Sequence, residues 1–360
     1  MRLRVAAASL LLLAATACSG ADDEPGSAEP GATPSPSATV DEPSASPGRP
    51  EVEPLDPSGG AQEPLPPVRS RTSLPALMRD PVEAGRVRRT APLAETDRWR
   101  SWAVTYTVDG ATVSGELLVP KGRGPFPAVV LNHGYIDPAV YVLGQGLSRE
   151  QEWLAANGFV VLHTDYRGHA ASDPVDDLGR ESRLVYTRDA IGAVKALEKE
   201  PYVDPDRLAM LGRSMGGGVT YNALVAEPGL VDAAVVFAPV SSLFVDNLRQ
   251  FTEPNRPDAA IALYERFGTP AESPAFYRDL SSRPFFDRIS EPVLVLHGTA
   301  DDTCPIRWSE ETVRAMRQAG VDVDYQVYEG EGHAFGPRYA DSMRRTVAFL
   351  RDRLDLPARG

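Results

Sequence analysis

The residues with the clearest chemical potential stand in Leu211-Gly212-Arg213-Ser214-Met215-Gly216-Gly217-Gly218. A short apolar run, Leu208 to Leu211, leads into them, and Val219 to Ala226 reads as helix. The stretch is therefore strand, sharp turn, helix, with Gly-x-Ser-x-Gly at the turn. A serine lifted clear of a sheet sits in strained backbone, so the residues two before and two after it must be nearly free of side chain. Gly212 and Gly216 meet that need, and Gly217 and Gly218 let the helix approach its neighbours. The competing reading of the pentapeptide alone is a serine in a glycine-rich helix start.

A serine hydroxyl is a poor nucleophile at neutral pH. It needs a base within hydrogen-bond reach, and the base needs a carboxylate to hold its tautomer. Five histidines are available: His133, His163, His169, His297 and His333. His333 lies in Glu329-Gly330-Glu331-Gly332-His333, a glycine-rich loop long enough to carry an imidazole over the end of a sheet, and it is the expected base. His163 and His297 end apolar runs, His133 reads as a brace for its own turn, and His169 reads as solvated. Asp301 and Asp302 stand together in His297-Gly298-Thr299-Ala300-Asp301-Asp302-Thr303-Cys304-Pro305, directly after an apolar run. The backbone N–H of Met215, next to the nucleophile, is placed to donate to a developing oxyanion. Arg167 reads as a tie between loops more readily than as a ligand for a substrate carboxylate. Chemistry of this kind needs no metal or organic cofactor, and the metal-binding pattern His-Glu-x-x-His does not occur.

The elements that must position these groups follow a regular pattern. Ala103–Val108 and Thr112–Val119 alternate and are joined by Asp109-Gly110, a hairpin signal. Pro127–Leu131, Phe159–His163, Leu208–Leu211, Ala233–Phe237 and Val293–His297 are continuous apolar runs, as strands buried on both faces would be; Val323–Tyr328 completes the set. Helical stretches fall at Ser148–Asn157, Arg183–Lys199, Ser309–Ala319 and Asp341–Leu354. The alternation predicts an α/β domain with a mostly parallel central sheet flanked by helices and an N-terminal β-hairpin. Sites in such sheets lie just beyond the carboxyl ends of the strands. After the sixth predicted strand, residues 241–284 break the alternation. This irregular segment carries Phe244, Phe251, Tyr264, Phe267, Phe276 and Tyr277 and reads as a small cap whose aromatics line a pocket or form a satellite core.

The two ends of the charge and cysteine inventory limit the biology. With 37 Lys and Arg against 50 Asp and Glu, a net charge of −13 argues against nucleic-acid partners and against polybasic membrane binding. Arg2 and Arg4, the apolar run Val5–Leu13 and the small residues up to Ala17 read as a signal peptide over 1–17. Ala15-Thr16-Ala17-Cys18 is similar to a bacterial lipobox with Ala in place of the usual Leu, so Cys18 is the expected lipidation site. The expected location is the outer face of a bacterial membrane, tethered through the N-terminal lipid only; plain secretion is the alternative. Cys304 is the one other cysteine, which leaves a lipidated chain no internal disulfide. Residues 18–68 are rich in Pro, Ser, Ala, Gly and acids and read as a disordered stalk, with the folded domain at 69–360.

From about Trp102 to Leu354 the chain resembles an α/β-hydrolase, most closely the prolyl-oligopeptidase catalytic domain and dienelactone-hydrolase-like and acetyl-xylan-esterase-like proteins. The resemblance rests on Asn132-His133-Gly134-Tyr135, Asp165-Tyr166-Arg167-Gly168, the motif around Ser214, His297-Gly298-x-x-Asp301-x-x-Cys304-Pro305 and Gly332-His333, in the chain order Ser, Asp, His. It implies Ser214 as nucleophile, His333 as general base and acid, and Asp301, not Asp302, as the orienting carboxylate. Cys304 then fills an aliphatic slot as a packing residue. Tyr135 is implied as the second oxyanion donor through its backbone N–H, with its hydroxyl as an addition or substitute and plain packing as the competing role. At most about 100 residues precede the sheet, so the propeller that gates full-length members is expected to be absent, and their peptide specificity does not carry over. The expectation is an exported serine hydrolase of carboxylic esters that works through an acyl-enzyme. Cleavage of short peptides is the alternative, and a non-catalytic binding module a remote one.

Overall fold

Every strand of the central sheet has a physical reason to sit where it does. The computed structural model describes residues 64–357; the signal peptide, Cys18 and nearly all of the expected stalk lie outside the described residues. The strands are β1 (Arg88–Glu95), β2 (Trp99–Val108), β3 (Ala111–Pro120), β4 (Phe126–Asn132), β5 (Val160–Thr164), β6 (Val203–Arg213), β7 (Ala233–Phe237), β8 (Val293–Gly298) and β9 (Val323–Tyr328). They form a nine-stranded sheet in the order β1-β2-β3-β5-β4-β6-β7-β8-β9. The first three strands and the β3–β5 pair are antiparallel, and β5 through β9 are parallel. Asp109 and Gly110 both carry positive φ at the β2–β3 turn, as a two-residue hairpin connection demands.

The helices are α1 (Leu74–Leu77), α2 (Ser148–Ala156), α3 (Asp177–Ser182), α4 (Leu184–Leu197), α5 (Met215–Ala226), α6 (Phe244–Asn247), α7 (Glu253–Asn255), α8 (Pro257–Phe267), α9 (Pro274–Asp279), α10 (Ile306–Gln318) and α11 (Tyr339–Arg353). Side chains in a strand alternate between faces, and the buried strands divide accordingly. Ala128 and Val130 of β4 join the core under α4 and α5, whereas Val129 and Leu131 join the core under α2 and α11. The apolar runs are continuous because both faces are covered. This is the α/β-hydrolase fold.

Three features differ from expectation. Strand β1 is exposed along its whole length and holds Arg88, Arg89 and Pro92; an edge strand tolerates both charge and proline, so it lacks the apolar alternation that marks an interior strand. Helix α5 starts at Met215, not Val219, because close packing overrides the weak helix propensity of three glycines. Residues 241–284 are largely helical: α6 to α9, with a π-helical turn at Leu248–Thr252.

Candidate active site

Strands β4 and β6 are neighbours, yet the chain leaves β4 toward β5 and leaves β6 toward β7. Loops that diverge from adjacent parallel strands open a crevice at their carboxyl ends. Gly134 and Tyr135 follow β4, and Ser214 follows β6, so both reach this crevice.

Ser214 has φ 56° and ψ −121°, a conformation that costs a side-chain-bearing residue about 1–3 kcal/mol. Neighbouring backbone holds it there. Its N–H donates to the Phe237 carbonyl at 3.0 Å, and its own carbonyl accepts from Gly217 at 3.0 Å and Val240 at 3.1 Å. A Cβ at Gly216 would stand 1.9 Å from the Asn132 carbonyl oxygen, and one at Gly212 2.3 Å from that of Gly216. No side chain fits at either place. Arg213 pairs with the buried Glu150 and donates to the Gly146 carbonyl at 3.3 Å, tying the end of β6 to the loop before α2.

Two amides beside Ser214 have no acceptor among the described residues: those of Met215 and Tyr135. Met215 opens α5, where the first N–H groups have no intrahelical partner. A Cβ on Gly134 would stand 3.2 Å from the Ser214 Cβ, so the Gly134–Tyr135 backbone passes directly against the serine. Tyr135 is about half exposed (47%), and its ring lies under the Arg256 guanidinium, 4.7 Å from the centroid.

The β4 loop is braced from behind. His133 is fully buried, stacks on Tyr141 at 4.8 Å and contacts the Gly134 carbonyl through Nδ1 at 2.6 Å. Burial, with the neighbouring His169, lowers its pKa to about 3 and keeps it neutral. Asp165 accepts from the Tyr141 and Ser114 hydroxyls, each at 2.6 Å. His169, expected to be solvated, is instead 2% exposed and packs edge-on against His133 at 5.2 Å. Local polarity suggested water, but the aromatic cluster across the loop encloses the ring. His163 is buried against Gln151. Arg167 pairs with the buried Asp189 at 2.8 Å and ties the loop after β5 to helix α4, not to a second loop. Burial pushes Asp189 up to about 6, against the pull of Arg167.

Beyond β8, Asp301 is the acceptor for a convergent set of donors. Its Oδ1 takes the N–H of Thr303 at 2.9 Å and of Cys304 at 2.8 Å; its Oδ2 lies 2.9 Å from His333 Nδ1 and 3.1 Å from His297 Nε2. Burial raises the carboxyl, but the hydrogen bonds from His297, His333 and Cys304 outweigh it and hold the group well below the usual carboxylate range. His297 Nε2 also lies 2.9 Å from the Cys304 carbonyl; two acceptors require that Nε2 carry the proton, which leaves Nδ1 to accept from the Ser309 hydroxyl at 2.7 Å. Asp302 is exposed and meets only the Thr303 hydroxyl at 3.2 Å. Cys304 is fully buried with Sγ 3.8 Å from Ser214 Oγ. Burial and then the charge on Asp301 push its thiol up to about 12, which makes it inert packing.

Ser214, Met215, Tyr135 and His333 line one cavity of about 530 Å³, with Asp301 behind His333. A carboxylate that accepts at Nδ1 leaves the Nε2 lone pair of an imidazole free to take a proton. Of the cap aromatics, Phe251 reaches the cavity. Phe267 and Phe276 stack at 4.2 Å, and Tyr277 packs on Phe276 and Phe244; these four extend the main core under α4 and α5 and do not form a separate satellite. Sequence reasoning missed Arg183, Glu181 and Arg256, which also line the cavity; no local motif marks them. Among the described residues no group of three or more His, Cys, Asp or Glu has the arrangement of a metal site.

Known proteins share this architecture. A rat inactive dipeptidyl peptidase 10 is 29% identical over 161 residues, 44% of this chain and 19% of that protein. A Mycobacterium tuberculosis puromycin-hydrolyzing peptidase superposes with a TM-score of 0.59 at 27% identity, over 74% of this chain and 42% of that one. Acetyl xylan esterase 1 from Thermoanaerobacterium gives 0.55 at 20% identity, over 77% of this chain and 92% of that one, a likeness of fold. The chain therefore spans under half the length of the two peptidase relatives. Residues 145–356, more than half of the chain, match the model of the prolyl oligopeptidase family. The chain belongs to that family and has the α/β-hydrolase fold.

Proposed function

We propose that Ser214, His333 and Asp301 act as a catalytic triad that hydrolyses carboxylic esters. Ser214 Oγ attacks the carbonyl, and His333 takes its proton and gives it to the leaving alkoxide. Asp301 holds the imidazole with Nε2 facing the reaction and stabilises the cation that forms. The N–H groups of Met215 and Tyr135 receive the oxyanion. Water, activated by the same histidine, then releases the acid from Ser214. The observation that carries this reading is the 2.9 Å contact between Asp301 Oδ2 and His333 Nδ1 on the wall of the cavity that exposes Ser214.

The cavity's modest volume beneath a helical cap supports a compact acyl group, and an ester leaving group needs less protonation than an amine. The second reading, a short-peptide hydrolase, is supported by the puromycin-hydrolyzing peptidase to which most of this chain is similar. Nitrophenyl esters of rising acyl length, set beside peptide anilides, separate the two. The ester reading predicts kcat/KM at least about a hundredfold higher for the best ester; a peptide anilide turned over as fast as any ester would sink it. We also infer from the N-terminal sequence that the enzyme is exported and anchored by lipid on Cys18. Mass spectrometry of the mature N-terminus should find a diacylglyceryl cysteine there, and an unmodified start elsewhere would refute the anchor.

A further inference from the structure

The hydrolytic steps leave one charge beside Ser214 unused. Arg183 sits at the junction of α3 and α4 with φ 61° and ψ 3° and lines the cavity. That left-handed conformation is unfavourable for a residue with a Cβ. Its guanidinium makes no hydrogen bond and has no carboxylate within 4.0 Å among the described residues. Glu181, the acid that attracts it, is already engaged. Arg256 Nε and Nη2 lie 2.9 and 3.0 Å from the two Glu181 oxygens, the Thr252 hydroxyl donates at 3.1 Å, and Arg180 Nε stands at 3.6 Å. Asp137, the other acid on the cavity wall, accepts from the Ala139 N–H of its own loop at 2.9 Å. Arg180 pairs with Asp177 and Arg256 with Glu181, so of the three guanidiniums on the cavity wall Arg183 is the one without a carboxylate within 4.0 Å among the described residues.

The surroundings make the mismatch sharper. Burial lowers Arg183 to about 10, against the attraction of Glu181, which still leaves it protonated at neutral pH. A Cβ on Gly218 would stand 3.9 Å from Arg183 Nη1, so the cation rests on the first turn of α5. A helix N-terminus carries partial positive charge, and a cation there is at the unfavourable end. The small polar cavity on the other side of Arg183, with Asn222, Ser241 and Ser242 in its wall, measures about 20 Å³. That is space for one water and too little for a counter-ion. A half-buried charge without a partner is costly, and this one shares its cavity with the nucleophile.

We propose that Arg183 sets the specificity of this site and selects substrates that carry a carboxylate close to the scissile bond. The proposal rests on the reading of Ser214 as nucleophile. A planar guanidinium suits bidentate recognition of a carboxylate, and the bound anion would satisfy Arg183 and the α5 terminus together. The carboxylate belongs either to the acyl half, as in a monoester of a dicarboxylic acid, or to the leaving half, as in a peptide with a free C-terminus.

Two matched pairs test it: nitrophenyl monoglutarate against nitrophenyl valerate, and a short peptide with a free against an amidated C-terminus. In at least one pair the wild type should prefer the charged member by about 10- to 100-fold in kcat/KM, the range of a charge-assisted hydrogen bond. Arg183→Gln should bring that ratio close to one, and Arg183→Lys should keep an intermediate preference. A ratio cancels any loss of correctly folded enzyme. A wild-type ratio of one or less in both pairs, or a preference that survives in Arg183→Gln, overturns the proposal. Wild-type enzyme that fails to react with a fluorophosphonate at Ser214 overturns the hydrolase reading beneath it.

Discussion

Replacing Asp301 by Asn probes the His333 alignment with almost no change of shape. Asp301 accepts four hydrogen bonds, two backbone N–H groups at Oδ1 and two imidazoles at Oδ2. An asparagine has one oxygen for them. With that oxygen kept on Thr303 and Cys304, its NH₂ faces His333 Nδ1 and forces the proton of His333 onto Nε2, the nitrogen that must accept from Ser214. Loss of the reactive tautomer in triads of this kind lowers kcat by about 10⁴, so Asp301→Asn should reduce ester kcat by about 10³–10⁴, or roughly 4–5 kcal/mol of barrier. Asp302→Asn, at an exposed neighbour, should stay within about twofold of wild type, the usual outcome for a surface change. The same variant has a stability signature. The folded Asp301 carboxyl is depressed below its unfolded value, so between those values the native state binds fewer protons than the unfolded chain. Its contribution is complete above about pH 4 and is lost as the pH falls toward the folded value. Asp301→Asn should therefore flatten the acid arm of the Tm–pH curve. Steady-state hydrolysis of nitrophenyl acetate measures the first effect and calorimetry the second. A variant within tenfold of wild-type kcat would refute the assignment of Asp301 to His333.

Three further outcomes follow from the geometry. Gly216→Ala drives a Cβ to 1.9 Å from a backbone carbonyl oxygen; overpacking of about 3 kcal/mol or more should lower Tm by roughly 6–12 °C, and an unchanged Tm would contradict the packing at the turn. Cys304, with a thiol near 12, should resist iodoacetamide at pH 8 until the protein unfolds; alkylation of the native protein, mapped by mass spectrometry, would show a reactive thiol. Tyr135→Phe should lower kcat less than about threefold if the backbone N–H serves the oxyanion, because a lost oxyanion donor costs about 10²–10³. A loss of that size would assign the role to the hydroxyl.

Much of this was legible in the chain because the signals are local. Gly212 and Gly216 announce a turn that leaves no room for side chains, and β4, β7 and β8 are too apolar to be anything but buried. The loops that follow β6, β8 and β9 carry Ser214, Asp301 and His333 at the strand ends, where parallel sheets hold their sites. What escaped depends on distant partners. Strand β1 has no pattern of its own, since it borrows its place from the edge of β2. The environment of His169 is decided by His133, Tyr141 and Tyr186, all outside its own loop. The Glu181–Arg256 pair joins residues 75 apart, and Arg183 becomes conspicuous only when that pair leaves it without an acceptor.

We propose Ser214 as the activated nucleophile of this cavity. Reaction with a fluorophosphonate probe, located by mass spectrometry, tests it most directly. A single adduct is expected on Ser214 in the wild type, none in Ser214→Ala, and a rate reduced at least about a thousandfold in His333→Ala. An unlabelled wild type, or an adduct on any other residue, would contradict it.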